Sequence, residues 1–241
     1  MHIEIAELSK EYGGRRVLNV DRLSFHATEI VGLVGNNGAG KTTLLRLMLD
    51  LVRATSGEVR SNDRVVSRSE EWKEYTGAYL GESFLIDYLK PREFFEFVAE
   101  VRGVDGTELA RGLNRYSGFL EGTGLDTRAP LIRGLSEGNR QKIGIIAALL
   151  GDPRTVILDE PFANLDPTSQ YLLKSLLREY CLRTRSLIVL SSHNLVHVAD
   201  LCSRVMLLEG GKIIRDDSLL GREEEVLSSL ERYFASPLPP P

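Results

Sequence analysis

Cysteine is scarce: Cys181 and Cys202 are the only two in 241 residues. Both lie in apolar, helical-looking surroundings without metal-ligand spacing, so they read as reduced thiols packed as small hydrophobes, and a disulfide scaffold is excluded. Long apolar runs are missing too. The longest, Ile143 to Gly151, falls far short of the ~18 residues needed to cross a bilayer. The opening MHIEIAELSK has no basic segment leading into an apolar one, so the chain is expected neither to be exported nor to span a membrane. Nor is there an excess of positive charge. The 30 basic residues stand against 34 acidic ones, a formal charge of −4, which offers no cationic footprint to a duplex or an anionic bilayer. Nucleic acid is therefore not an expected partner. Repeats and compositional bias are absent as well, and 42% hydrophobic with 27% charged residues describes an ordinary globular protein. A chain of this size buries roughly 70 to 75% of its unfolded surface without help from a metal.

What is present is an alternation of short apolar runs and amphipathic segments. Ile3 to Leu8, Leu23 to Phe25 and Ile30 to Val34 read as strands, and Lys41 to Leu51 carries the apolar spacing of one helix face. Thr55 to Val66 suggests a hairpin region and Gly77 to Leu80 another strand. Pro91 opens a helix to about Arg102, stopped by Gly103, and Thr107 is expected to cap the next. From about Tyr88 to Leu150 the pattern is helical throughout, whereas on either side strand alternates with helix, which marks an inserted helical sub-domain. Thereafter come strand 155–158, helix 167–182, strand 187–190, helix 194–201, strand 205–208 and a turn at Glu209 to Lys212. Ser218 to Phe234 reads as a last helix, and Pro237 to Pro241 as a tail without core residues.

The densest chemistry lies between the third strand and the first helix. Gly35-Asn36-Asn37-Gly38-Ala39-Gly40-Lys41-Thr42 fits G-x-x-x-x-G-K-[ST] at every fixed position, with Thr43 following. Glycines let the backbone curl so that successive N–H groups converge on phosphate oxygens, and the helix adds its positive end. Lys41 then bridges the β- and γ-phosphates and the Thr42 hydroxyl ligates Mg2+. Such a loop needs a carboxylate at the end of a neighbouring strand, and Val156-Ile157-Leu158-Asp159-Glu160 supplies it. Asp159 is the metal-side acid, and Glu160 can accept a proton from an attacking water. The guanine-reading Asn-Lys-x-Asp of a GTPase is missing. His193 and His197 have the spacing of a zinc protease, yet the glutamate that would accompany them is absent, so zinc is set aside.

Leu135-Ser136-Glu137-Gly138-Asn139-Arg140-Gln141 resembles the signature sequence of ABC-family ATPases, and the resemblance covers nearly the whole chain. In that resemblance Tyr12 matches the adenine-stacking aromatic, residues 35–42 the Walker A loop, and Val156 to Glu160 Walker B. Asn164-Leu165-Asp166 matches the D-loop and His193 the switch histidine. The fold so implied is α/β: a P-loop NTPase (RecA-like) core with an N-terminal antiparallel β sub-domain and an inserted α-helical sub-domain. Residues 1–236 would form a single ABC ATPase domain, with 1–87 and 151–218 as core and β sub-domain, 88–150 as the helical sub-domain, and 219–236 as a C-terminal helix. The family packs two nucleotide-binding subunits head to tail, which implies a dimer of this chain with itself or a paralogue. Ser136 and Gly138 of one copy would face the γ-phosphate on the other copy's Walker A loop, so two ATP and Mg2+ are expected per dimer.

Glu137 stands where the family usually has glycine and Asn139 where it has glutamine. A sharper departure is the Q-loop, because the chain's only glutamines are Gln141 and Gln170. Glu82 is in register there; a carboxylate oxygen can ligate Mg2+ as an amide oxygen does, and the alternative is an exposed loop acid. One cassette, no long coil and a full catalytic set point to the energy-coupling ATPase of a membrane transporter. The alternative is a soluble ABC-type ATPase of translation, repair or regulation. Tyr79 to Glu82 and Ser191 to Leu195 look like the bacterial exporter branch with separate permeases. The implied location is cytoplasmic, peripheral on the inner face of the cell membrane, held there only through integral-membrane permease subunits. Phe84, Leu85, Ile86 and Tyr88 are expected to line a groove for a short permease helix.

Overall fold

The computed structural model describes residues 1–125 and 130–235; the expected tail at 237–241 lies outside them. The chain begins with two long strands, β1 (His2–Tyr12) and β2 (Arg15–His26), which pair antiparallel around a turn at Gly13-Gly14. Then come β3 (Ile30–Val34) and α1 (Lys41–Met48), followed by β4 (Ser56–Ser61), β5 (Arg64–Val65) and β6 (Thr76–Tyr79). Three helices follow, α2 (Pro91–Val101), α3 (Gly106–Arg115) and α4 (Glu137–Leu149). The alternation resumes with β7 (Thr155–Leu158), α5 (Pro167–Thr184), β8 (Leu187–Ser192), α6 (Leu195–Leu201), β9 (Arg204–Glu209), β10 (Lys212–Ser218) and α7 (Glu223–Ala235). One sheet runs β2-β1-β4-β5, all antiparallel, and the other runs β10-β9-β3-β8-β7-β6, parallel except for β10.

Strict alternation along the parallel strands builds two cores. Ile30 and Val34 of β3, Val156 and Leu158 of β7, Ile188 and Leu190 of β8 and Val205 and Leu207 of β9 face the helical side, where they join Phe94, Phe95, Ile143 and Tyr180. Their neighbours Val31, Leu33, Ile157, Leu187, Val189, Met206 and Leu208 face the other way, onto α1 and the antiparallel sheet. A strand buried on both faces reads as a continuous apolar run, which is why these segments lack polar alternation until their C-terminal ends. Helix α4 lies close on β6 because Gly144 has no side chain: a Cβ there would stand 2.2 Å from a ring carbon of Tyr79. Burial pushes the Tyr79 hydroxyl above its ordinary range, and the nearby Glu82 charge adds to this.

Several expected boundaries shift for local reasons. The first helix ends at Met48 rather than Leu51, because Asp50 turns into the left-handed region (φ 50°) and Leu51 N–H closes onto Arg46 C=O at 2.9 Å. The cap of α3 is Asp105, not Thr107: its carboxylate accepts from the N–H groups of Thr107 and Glu108 at 2.8 and 2.9 Å. Among the described residues of 88–150 the helices are α2, α3 and α4 and a 3-10 turn at Ile132–Gly134, with a break at Gly103 (φ 66°) and turn rather than helix over 116–122, so the region is not helical throughout. The last helix begins at Glu223, since Ser218 ends the edge strand β10. Both cysteines are buried and unpaired, and burial raises both thiols.

Candidate active site

Register decides which loops meet. Val34 pairs with Ser192 and Leu158 with Leu190, so the C-terminal ends of β3, β8 and β7 lie side by side, the usual place for ligands on a parallel sheet. The loop after β3 curls through Gly38 (φ 81°) and Gly40 (φ 111°), backbone angles that side chains resist, and delivers Lys41 and Thr42 to the first turn of α1. The Lys41 side chain is 7% exposed, and its ammonium donates to Gly35 C=O at 2.7 Å inside the curl. Tyr12, Asn36, Asn37, Gly38, Gly40, Lys41, Thr42, Thr43 and Glu160 border one cleft of about 290 Å3. Tyr12 is half exposed at its mouth, with the Lys10 ammonium 4.7 Å from the ring centroid. Ala39 sits behind the loop, its C=O accepting from Gly211 N–H at 3.0 Å.

The two acids after β7 take different partners. Asp159 accepts the Thr42 hydroxyl on Oδ2 at 2.6 Å and the Ser191 hydroxyl on Oδ1 at 2.5 Å. Glu160, at φ 47°, turns the other way. Its Oε1 is 3.5 Å from Lys41 Nζ, and its Oε2 is 2.8 Å from His193 Nδ1 and accepts His193 N–H at 3.3 Å. The fully buried Ser191 serves both acids, since its Oγ also accepts Glu160 N–H at 2.8 Å. Its role was not anticipated from the sequence. The signal was there: a hydroxyl at the end of a fully apolar strand, one residue past the Leu158–Leu190 pair and so beside Asp159.

Thr42 and Asp159 bring two hard oxygen donors within 2.6 Å of each other, the donor type that Mg2+ prefers, so they could hold that cation, with its other ligands coming from phosphate and water. Among the described residues no group of three His, Cys, Asp or Glu side chains gathers as a metal site. His197 packs against Phe162 with ring centroids 4.5 Å apart.

Four further residues singled out in the sequence stand outside the cleft. Ser136 caps α4 by accepting Asn139 N–H at 3.3 Å, and Gly138 lies against the backbone carbonyl of Asn164. Asp166 caps α5, accepting Ser169 N–H at 3.0 Å and the Ser169 hydroxyl at 2.6 Å, bonds that hold its carboxyl below the usual range. Glu82 is engaged by Arg140 of α4, Oε2 to Nη2 at 2.7 Å. Beside it Phe84, Ile86 and Tyr88 are exposed, Tyr88 by 73% and with the Arg133 guanidinium 5.4 Å from its ring centroid, while Leu85 turns into the core.

Comparison with known proteins agrees with this arrangement. Residues 18–163 match the family described as ABC transporter. An uncharacterised ABC transporter ATP-binding protein of Methanocaldococcus jannaschii is 33% identical over 212 residues, covering 88% of this chain and 76% of that protein. The tungstate uptake system ATP-binding protein TupC of Peptoclostridium acidaminophilum is 30% identical over 219 residues, covering 88% of this chain and 97% of that one. Among solved structures, an ATP-binding subunit of an ABC transporter superposes with a TM-score of 0.82 at 25% identity, over 97% of this chain and 98% of that one.

Proposed function

The chain belongs to the ABC transporter family and is one of its ATP-hydrolysing subunits, and from that membership we propose that it powers a membrane transporter through closure of two copies around two ATP. One observation carries the chemistry: Asp159 goes to Thr42, while Glu160 goes to Lys41 and His193. Loop N–H groups, the N-terminal end of α1 and Lys41 bind the phosphates. Thr42 and Asp159 would hold Mg2+, which when bound neutralises charge on the β- and γ-phosphates. Glu160 takes the proton of the attacking water, and His193 orients its carboxylate. Tyr12 offers its ring to the base. Ser136 and Gly138 of one copy face the γ-phosphate held by the other, with Asp166 beside that interface.

The organisation belongs to the same reading: a single ATPase domain over 1–236 with 88–150 as its helical sub-domain. The exposed Phe84, Ile86 and Tyr88 are the seat for a permease helix, because three large apolar side chains on one loop form a patch that a solitary subunit would bury. Among the described residues no helix is long and apolar enough to cross a membrane. On the family resemblance, integral-membrane permease subunits supply the span and hold this subunit on the cytoplasmic face. For direction, we read export, on the resemblance of Tyr79 to Glu82 and Ser191 to Leu195 to the exporter branch. The relative named for tungstate uptake is the opposing precedent. Substrate entering inverted vesicles on addition of ATP supports export, and ATP-driven loss from them overturns it.

Glu160→Gln tests the chemistry and the assembly together. It keeps the shape and removes the proton acceptor, so ATP should still bind while turnover falls by about 10^2- to 10^4-fold. The variant should double its mass in light scattering with MgATP and return to a single copy with ADP, since only a γ-phosphate bridges the halves. Wild-type turnover would remove Glu160 as base, and the same mass in both nucleotides would remove head-to-tail closure.

A further inference from the structure

The backbone of Glu160 is pinned at both ends by side chains from other elements. Its N–H donates to Ser191 Oγ, and its C=O accepts from Gln141 Nε2 of α4 at 3.3 Å. The second N–H of the same amide donates to Pro161 C=O at 2.6 Å. Gln141 is only 4% exposed, so these bonds form away from water, and an unpaired carbonyl there is costly. Glu160 is left-handed at φ 47°, a conformation that is unfavourable for a non-glycine residue and persists only where its surroundings over-determine it. Proline at 161 has no N–H, so the peptide that joins 160 to 161 can be held only through its one carbonyl, that of Glu160, while the Pro161 carbonyl anchors the peptide that follows. The 160–161 peptide sets ψ of Glu160, and ψ with φ sets where its Cβ, and therefore its carboxylate, points.

We infer that Gln141 is a positioning residue for ATP hydrolysis: its side-chain amide fixes the Glu160–Pro161 peptide and so aims the Glu160 carboxylate at the γ-phosphate. The inference rests on Glu160 being the base. Ala163 N–H also reaches Glu160 C=O, at 3.1 Å, but it belongs to the same loop and moves with it. Gln141 instead acts from a helix buried on β6. The chain's other glutamine provides an internal control: Gln170 of α5 donates to the carbonyls of Phe162 and Leu165 at 3.2 and 3.1 Å, clamping the same loop without touching residue 160 or 161.

The test compares Gln141→Met, Gln141→Glu and Gln170→Met with the wild type in steady-state ATP hydrolysis, with Tm measured for each. Met fills the volume without a donor, and Glu keeps the shape while losing the donor. Both Gln141 variants should lose about tenfold or more in kcat with KM for ATP within about twofold, the pattern of an interaction felt in the transition state alone. Gln170→Met should lower Tm comparably and kcat by no more than about threefold. Wild-type kcat in either folded Gln141 variant would overturn the inference. So would kcat losses that follow Tm equally at 141 and 170, because the amide would then merely hold the loop together. Full turnover by Glu160→Gln would defeat the base assignment itself and is read separately.

Discussion

The strand-end cluster and the first turn of α4 carry the two most recognisable motifs of the chain, and they differ in how their polar groups are used. At the strand ends, side chains from three separate segments meet one another: Thr42 with Asp159, Asp159 with Ser191, Glu160 with Lys41 and His193. On α4, Ser136 is spent on its own helix end, Gly138 offers bare backbone, and Ser136 and Gly138 are absent from the cleft lining. The first region is a site nearly complete within one chain. The second is a helix N-terminus that, under the proposed head-to-tail closure, would meet a ligand another copy brings. On that proposal a motif can be intact and still be half of a site.

The comparison breaks most severely at Asp159. Asp159→Asn keeps the size of the side chain and one acceptor but removes the charge facing Thr42, and turnover should fall by about a hundredfold or more, with Mg2+ no longer tightening nucleotide binding. Unchanged Mg2+ dependence would show that the cation is held elsewhere. Gly138→Ala touches the second region alone. Its Cβ would stand 2.6 Å from Asn164 C=O, so helix or loop must shift, at a cost of about 1–3 kcal/mol. Turnover should drop by roughly tenfold while nucleotide binding to the single copy is kept, since the cleft is untouched. A weakened single-copy affinity for ATP would mean that α4 and the cleft are not separable.

Phe84→Ala probes the exposed loop beside both regions. An exposed side chain contributes within about 0.5 kcal/mol to stability, so Tm and the basal ATPase should hold while transport by the reconstituted complex is lost. Full transport would leave the patch without a partner. The smallest effect is at His197. Burial first, then the Lys174 and His193 charges, hold its imidazole below the ordinary 6.5, with Asp200 and Glu160 opposing. The unfolded chain therefore binds this proton before the folded one does, so stability declines as pH falls from 6.5 through the lower folded value and is flat above 6.5. His197→Phe should remove a small part of the Tm loss on going to acid pH. An unchanged slope would place that loss on other groups.

Much of the fold is written in local patterns of the chain. Apolar runs at 30–34, 155–158 and 187–190 and the 3.6-residue spacing after Lys41 are properties of adjacent residues, and burial on both faces of a parallel sheet demands them. The phosphate loop was legible for the same reason: its glycines, Lys41 and Thr42 act through one contiguous turn. The cap of α3 was misread by two residues because Thr107 and Asp105 are both good cap types, and only the path of the backbone selects between them. Nothing local in the sequence marks Ser191 as holder of both acids or Gln141 as holder of the Glu160 and Pro161 carbonyls. Their partners lie 31 to 32 and 19 to 20 residues away, and no local period encodes such a pair.

By itself, then, the sequence determined the strand-loop-helix that curls around phosphate, the acidic pair that follows a buried strand, and the family to which both belong. Each depends on neighbouring residues and on the steric and hydrogen-bonding rules of the backbone. The tertiary structure alone decided that Asp159 turns to Thr42 while Glu160 turns to His193, that Glu82 pairs with Arg140, and that Phe84, Ile86 and Tyr88 face outward while Leu85 does not. Those outcomes depend on strand register and on the close seating of α4, which bring together groups as much as 117 residues apart, a distance over which no side-chain preference acts until the chain has folded.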